Sequence, residues 1–352
     1  MSTDSLILRR PDDWHIHLRD DAMLAAVLPA TAEVFARAIV MPNLKPPVTT
    51  TAQAAAYRER ILRQTPSGSG FVPLMTCYLT DNTDPDDLAA GHAEGVFTAA
   101  KLYPAGATTN SDAGVTDVRR LHGVLERMQA IGMPLLVHGE VVDHDVDVFD
   151  REAVFIDRTL RGLRRDFPAL KVVFEHITTA EGVAFVRSAE GPTAATITPH
   201  HLLINRNAMF ERGIRPHAYC LPVAKRERHR LALCGAATSG NPRFFLGTDS
   251  APHPRHLKEH DCGCAGVYNA PTAMACYAEI FAEAGCLERL EGFASEYGPA
   301  FYGLPLNADR IRLFRKEPEA APTDLVTPDG EVRVFAPPRI LGWGVERLAP
   351  AA

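Results

Sequence analysis

Eight short apolar runs alternate with helix-like stretches along this chain, and no other feature restricts its fold as strongly. Strand-like runs lie at 13–17, 37–41, 71–79, 97–103, 134–138, 170–176, 194–198 and 243–248. Between them, 22–35, 51–64, 84–94, 117–131, 151–167, 179–188 and 224–239 read as helices, and 269–285 and 288–298 follow the last strand. In the second helix, Thr50 or Thr51 supplies the cap and Pro66-Ser67-Gly68 the stop. Pro29 marks an irregularity in the first. Repeated βα units imply a parallel sheet. Eight of them within about 250 residues match a TIM (β/α)8 barrel of the α/β class. A doubly wound open sheet competes, but it lacks its Gly-rich turn after strand one. We expect a single barrel domain over 1–352, with a barrel core of about 10–305 and a C-terminal extension packed on it. That extension is Pro-rich, with strand-like pieces at 310–315 and 331–336.

Composition narrows the function classes. With 46% hydrophobic residues in 352, a large core can be buried. A formal net charge of -6 argues against a broad nucleic-acid surface but leaves room for a locally positive pocket. No apolar run is long enough to span a membrane. The short run Leu6-Ile7-Leu8, flanked by Asp4, Arg9 and Arg10, is no secretory core. Seven cysteines without framework spacing argue for a reducing compartment and a cytoplasmic location. Cys262-Gly263-Cys264 lacks a second ligand pair and reads as free thiols in a loop.

The chemistry lies in where ionisable residues interrupt the apolar runs. On a strand of period two, His15 and His17 share one face and Ile16 takes the other, with Arg19 continuing the histidine face. Alone, His-x-His is a weak signal. However, Lys101, His138, His176 and Asp249 each sit at the C-terminal end of another strand. In a barrel those ends meet at one mouth, where active sites form. Singly, a strand-end Asp is a helix cap and a strand-end Lys snorkels to water; jointly, four His, one Asp and one Lys point to a shared metal site. Imidazoles and a carboxylate suit Zn²⁺ or a similar divalent ion, and the set exceeds what one tetrahedral zinc needs, so two metals are expected. A free ammonium on Lys101 would be repelled there; a neutral amine, or its carbamate formed with CO₂, would not.

These residues resemble the amidohydrolase superfamily of metal-dependent barrels. The motifs Asp13-Trp14-His15-Ile16-His17-Leu18-Arg19, Met41-Pro42-Asn43, Lys101-Leu102-Tyr103-Pro104, Val137-His138-Gly139-Glu140, Glu175-His176-Ile177 and Gly247-Thr248-Asp249-Ser250-Ala251-Pro252-His253 are similar to those of its dihydroorotase branch, in the shorter, bacterial homodimeric form. The likeness runs through about Pro305 and breaks at no ligand position. It implies that His15, His17 and Asp249 bind the more buried metal and His138 and His176 the second. Lys101, as N6-carboxylysine, and a hydroxide would bridge the two. The implied reaction is the reversible cyclisation of N-carbamoyl-L-aspartate to L-dihydroorotate with loss of water, in pyrimidine biosynthesis, with Asp249 as the proton shuttle.

The same resemblance implies the substrate contacts. Arg19 would take the substrate carboxylate that stays out of the bond change, as a guanidinium fork suits it. Asn43 and His253 would assist, His17 and His138 would also touch the substrate, and the backbone at Leu221 and Ala265 would hold the ring amide and carboxylate edges. The loop 105–114 reads as a lid carrying Thr108 and Thr109. Alternatives remain: Arg19 pairing with Asp20, Asn43 capping the turn after Pro42, and His200 and His201 serving as outer donors or as plain structure. A small-molecule substrate and a homodimer are the expected partners. The enzyme rival is a hydantoinase or dihydropyrimidinase, acting on rings without the acid; the non-enzyme rival is a barrel that serves only as a scaffold.

Overall fold

The structure, a computed structural model, describes residues 4–261, 263–317, 322–337 and 341–349. After an N-terminal strand β1 (Ser5–Arg9), eight strands pair in parallel and in sequence order: β2 (Asp12–Ile16), β3 (Arg37–Val40), β4 (Val72–Tyr78), β5 (Phe97–Leu102), β6 (Leu135–Val137), β7 (Val172–Phe174), β8 (Thr193–Ile197) and β9 (Phe244–Leu246). The ring closes between β9 and β2. There the Asp249 N–H donates to the His15 carbonyl at 2.8 Å and the His17 N–H to the Ser250 carbonyl at 3.0 Å. The Asp13 carboxylate bridges the same seam, accepting from the Thr248 N–H at 2.8 Å and its hydroxyl at 2.5 Å. This is the TIM-barrel arrangement the alternation predicts.

Two cores follow from the two faces of each strand. Trp14, Ile39, Met41, Ala99, Leu136, Val173, Ala194 and Phe245 form one cluster, with Leu74 of β4 packed against it. Every barrel strand contributes, and only the interior is reachable from all eight. Tyr302 stacks on Trp14 at 4.4 Å and plugs the N-terminal end. Gly298 is obligatory there, because a Cβ would fall 1.9 Å from the Trp14 indole nitrogen. Emptying that plug by Trp14→Ala would cost about 3–5 kcal/mol. The larger core lies between the strands and the helices outside them.

The helices form where capping and periodicity coincide. Thr51–Gln64 begins with a capping box between Thr50 and Gln53 and buries Ala54, Tyr57 and Ile61 on one face. The helix Asp21–Val34 continues across Pro29. The stretch 151–166 contains a π-helical turn at Ile156–Leu160, and the helix expected from 224 starts at Glu227–Ala237. An element the sequence reading passed over is β1. It pairs antiparallel with β10 (Arg310–Arg315), which pairs in turn with β13 (Trp343–Arg347). The strand expected at 331–336 is only the short β12 (Gly330–Val332), paired with β11 (Leu325–Thr327). Cys262 lies outside the described residues.

Candidate active site

Period-two alternation carries apolar residues at the bottom of the barrel into polar ones at its mouth. Along β3 the inward sequence is Ile39, Met41, Asn43; along β5, Ala99, Lys101, Tyr103; along β6, Leu136, His138; along β7, Val173, Glu175. β2 breaks this rule once. Trp14 belongs to the interior cluster, yet His15 and His17 also face the mouth while Ile16 packs in the outer core. The register shift between Asp13 and Ile16 supplies the extra inward position. Arg19 lies beyond the strand, in a left-handed conformation with φ of 58°, held by the Tyr57 hydroxyl donating to its carbonyl.

His15, His17, His138, His176 and Asp249 line one cavity together with Arg19, Asn43, Tyr103, Thr108, Thr109, Leu221 and Ala265. Ligand atoms of His15, His176 and Asp249 lie within 4.8 Å of one another. The His15 ring is 4.8 Å from that of His176 and 5.4 Å from that of His17; His138 is 4.9 Å from His176. Asp249 Oδ1 lies 3.1 Å from His17 Nε2 and 3.4 Å from His15 Nε2. His176 and Asp249 both adopt positive φ, at 40° and 45°. Such strain at non-glycine positions persists where surrounding structure over-determines it. Here the Thr196 hydroxyl holds the His176 N–H at 2.7 Å.

Each histidine has one ring nitrogen committed behind it or a neutral ring. Glu175 takes His15 Nδ1 at 2.8 Å, Asn43 Oδ1 takes His17 Nδ1 at 2.9 Å, and Glu140 takes His138 Nε2 at 2.9 Å. The opposite nitrogens are thereby aimed into the cavity, the arrangement that orients metal ligands. Burial holds His17 down at about 4 and pulls His138 and His176 below the usual range, favouring neutral imidazole, the ligating form. His15 differs: burial and Lys101 pull it down, but Glu175 and Asp249 outweigh them. Burial tends to raise Asp249, yet His15, His17 and His176 hold its carboxyl well below the carboxylate range.

Lys101 is fully buried, its Nζ has no hydrogen-bond partner, and burial lowers it to about 8. The Tyr103 ring lies 5.0 Å from Nζ. A buried amine without a partner is costly and asks for a group to complete it. His15 Nε2 is likewise buried and without a hydrogen-bond partner. Orphaned nitrogens of His15, Lys101 and His176, from three strands and close to the Asp249 carboxylate, fit a divalent metal centre.

The polar wall beside this cluster has a definite shape. Arg19 does not pair with Asp20, which Arg60 takes at 2.7 Å. Arg19 turns instead to the Pro252 carbonyl at 3.2 Å and to His253 Nε2 at 3.0 Å. The same Nε2 lies 3.0 Å from the Ala265 carbonyl. One ring nitrogen cannot donate to a carbonyl and accept from a guanidinium at once, so a donor here is short of an acceptor. Asn43 is no mere turn cap, since its Nδ2 donates to the Thr109 carbonyl at 3.0 Å. The loop 105–114 covers the mouth, with the Thr109 hydroxyl donating to the Ala265 carbonyl at 3.3 Å, and the enclosed space is only about 20 Å³.

His200 and His201 lie outside the cavity lining. His201 Nδ1 bonds the Thr198 hydroxyl at 2.8 Å and its Nε2 donates to the Pro222 carbonyl at 3.0 Å. His200 meets Asn269, whose amide donates to the Thr248 carbonyl. Cys220 joins them, its thiol pushed up to about 12 by burial. Glu140 and Glu175 lie inside the motifs given above with no role attached to them there, and Thr196 lies outside those motifs. Their signal was a carboxylate placed beside a strand-end histidine.

The Amidohydrolase family profile matches residues 6–313. Dihydroorotase from Sphingopyxis alaskensis is 64% identical over 343 residues, covering 97% of this chain and 99% of that one. Dihydroorotase from Cupriavidus metallidurans is 67% identical over 315 residues, covering 90% and 92%. The crystal structure of dihydroorotase from Saccharomyces cerevisiae in complex with 5-fluoroorotic acid superposes with a TM-score of 0.91 at 32% identity, over 99% of this chain and 100% of that one. Dihydroorotase from Campylobacter jejuni gives 0.88 at 35%, over 98% of each. L-Hydantoinase from Arthrobacter aurescens shares the fold, with a TM-score of 0.77 at 16% identity, over 98% of this chain and 87% of that one. This chain belongs to the amidohydrolase family of metal-dependent hydrolases and, within it, to the dihydroorotases.

Proposed function

We propose that this chain interconverts N-carbamoyl-L-aspartate and L-dihydroorotate at a binuclear zinc centre in the barrel mouth. The reading is supported most directly by one juxtaposition: Arg19 and Asn43 border the same cavity as the His/Lys/Asp cluster, with His253 against Arg19. A cyclic amide without an acid group would have no use for that wall.

His15, His17 and Asp249 would hold one ion and His138 and His176 the other, with carboxylated Lys101 contributing to both. When bound, the ions lower the pKa of water and polarise the amide carbonyl. Arg19, Asn43 and His253 bind the spectator carboxylate and fix the ring. Backbone groups of Leu221 and Ala265 align its amide edge. Asp249 takes a proton from the attacking water as its oxygen bonds to the ring carbonyl carbon, and delivers it to the leaving nitrogen as the ring C–N bond breaks. In the synthetic direction it removes a proton from the carbamoyl nitrogen as water leaves. Thr108 and Thr109, on the loop over the mouth, hydrogen-bond the bound acid and exclude bulk water.

The protein is read as one barrel unit through about residue 305 with the remainder as an extension, acting as a cytoplasmic homodimer. No helix among the described residues is long and apolar enough to cross a membrane. Assaying dihydroorotate beside dihydrouracil and hydantoin tests the reading. Turnover of dihydroorotate with little of the other two is expected; preference for either acid-free ring would overturn it.

A further inference from the structure

Lys258 is buried, at the end of the short helix Arg255–Lys258, and plays no part in the chemistry above. Its Nζ donates to three carbonyls: Tyr219 at 3.1 Å, Cys264 at 2.8 Å and Gly266 at 2.6 Å. An ammonium has three N–H groups, so all are spent on backbone. The carbonyls come from two separate segments, and the Gly266 N–H joins those segments by donating to the Tyr219 carbonyl at 3.1 Å.

The spacing within 264–266 matters. Lys258 holds the carbonyls of residues on either side of Ala265. In an extended chain alternate carbonyls point opposite ways, and across a trans peptide the C=O and N–H are antiparallel. Fixing Cys264 and Gly266 toward Lys258 therefore turns the N–H and the C=O of Ala265 the other way, to the cavity side. The Ala265 carbonyl is found there, meeting His253 Nε2 at 3.0 Å and the Thr109 hydroxyl of the covering loop at 3.3 Å. A Cβ at Gly266 would fall 2.7 Å from the Ala251 carbonyl and 2.8 Å from His253 Cδ2, so this strip of backbone is already wedged against the carboxylate wall.

We infer that Lys258 is a positioning residue for substrate: it clamps the backbone on both sides of Ala265, so that Ala265 presents a donor and an acceptor to the substrate's acid and amide edge and a seat for the loop over the mouth. The inference rests on the proposed function for what the substrate is, but the clamp itself is a statement about backbone.

Two measurements keep these apart. Lys258→Met retains the bulk and removes the donors. Hydrogen exchange followed by mass spectrometry on a peptide covering 263–268 should quicken in Lys258→Met relative to the parent, whatever the protein's substrate. Unchanged exchange in a folded Lys258→Met protein overturns the clamp. In the dihydroorotate assay, KM should rise roughly tenfold with kcat changed much less and metal content kept, as expected for misplaced binding groups. Lys258→Arg, which keeps charge and donors, should recover part of the loss; if Lys258→Met does not fold, the arginine variant carries the test, with a KM raised at least severalfold at near-parent kcat supporting the inference. KM and kcat both at parent values in the folded variants would overturn it. A parent protein inactive on dihydroorotate would defeat the proposed function and leave the exchange result to decide the clamp.

Discussion

Glu175 Oε2 lies 2.8 Å from His15 Nδ1, and both side chains are buried to within 1%. The same carboxylate oxygen accepts from the Thr196 hydroxyl at 2.5 Å, and that hydroxyl in turn receives the His176 N–H. One carboxylate thus orients the His15 ring directly and the His176 backbone through Thr196. Two cavity-facing histidines from different strands share one support.

That relationship gives the first prediction. Glu175→Gln keeps the shape but weakens the hold on His15 Nδ1. Metal affinity should fall about 10–100-fold, the usual effect of removing such a support. Titration of the metal-free protein with zinc, read by calorimetry, checks it. Parent affinity would show that Glu175 only fills space.

Lys101 supplies the second. Lys101→Ala should lose at least one metal equivalent by elemental analysis, together with most activity. The parent should regain activity faster when metal is returned in bicarbonate than in CO₂-free buffer. Full metal and full turnover in Lys101→Ala would end the carbamate proposal.

Asp249 faces both His15 and His17 and lies 5% exposed, largely withdrawn from bulk solvent. Asp249→Asn should lower kcat by about 10²–10⁴, the range for a positioned acid–base group, with circular dichroism unchanged. Near-normal turnover would remove it from the reaction.

Arg19 carries the specificity prediction. Arg19→Met should raise KM for dihydroorotate with a smaller change in kcat, as expected of a guanidinium that would bind the carboxylate in ground and transition states alike. The loss of a charged hydrogen bond of about 1.5–3 kcal/mol corresponds to roughly 10–150-fold in binding. An unaltered KM would exclude Arg19 from the carboxylate pocket.

Much of this site was legible in the residues. Period-two alternation placed His15 and His17 together, and barrel topology brought Lys101, His138, His176 and Asp249 to the same rim. What escaped was set by geometry that spacing does not encode. The irregularity at Asp13–Ile16 lets Trp14 point inward as well as His15. β1 needed partners about three hundred residues away, through β10 and β13, to become a strand. Glu140 lies two residues from His138, whose ring it holds, but Glu175 is next to His176 in sequence and holds the ring of His15 on another strand, a pairing that only the fold creates. Lys258 carried no signal at all: its partners are backbone carbonyls, which every residue has.

A metal-dependent ring opening at the barrel mouth underlies each of these expectations. Its most direct test is the rate of dihydroorotate hydrolysis by the purified protein before chelation, after chelation, and after zinc is returned. Turnover should disappear with the metal and come back with it. Undiminished hydrolysis by protein shown to be metal-free would contradict it.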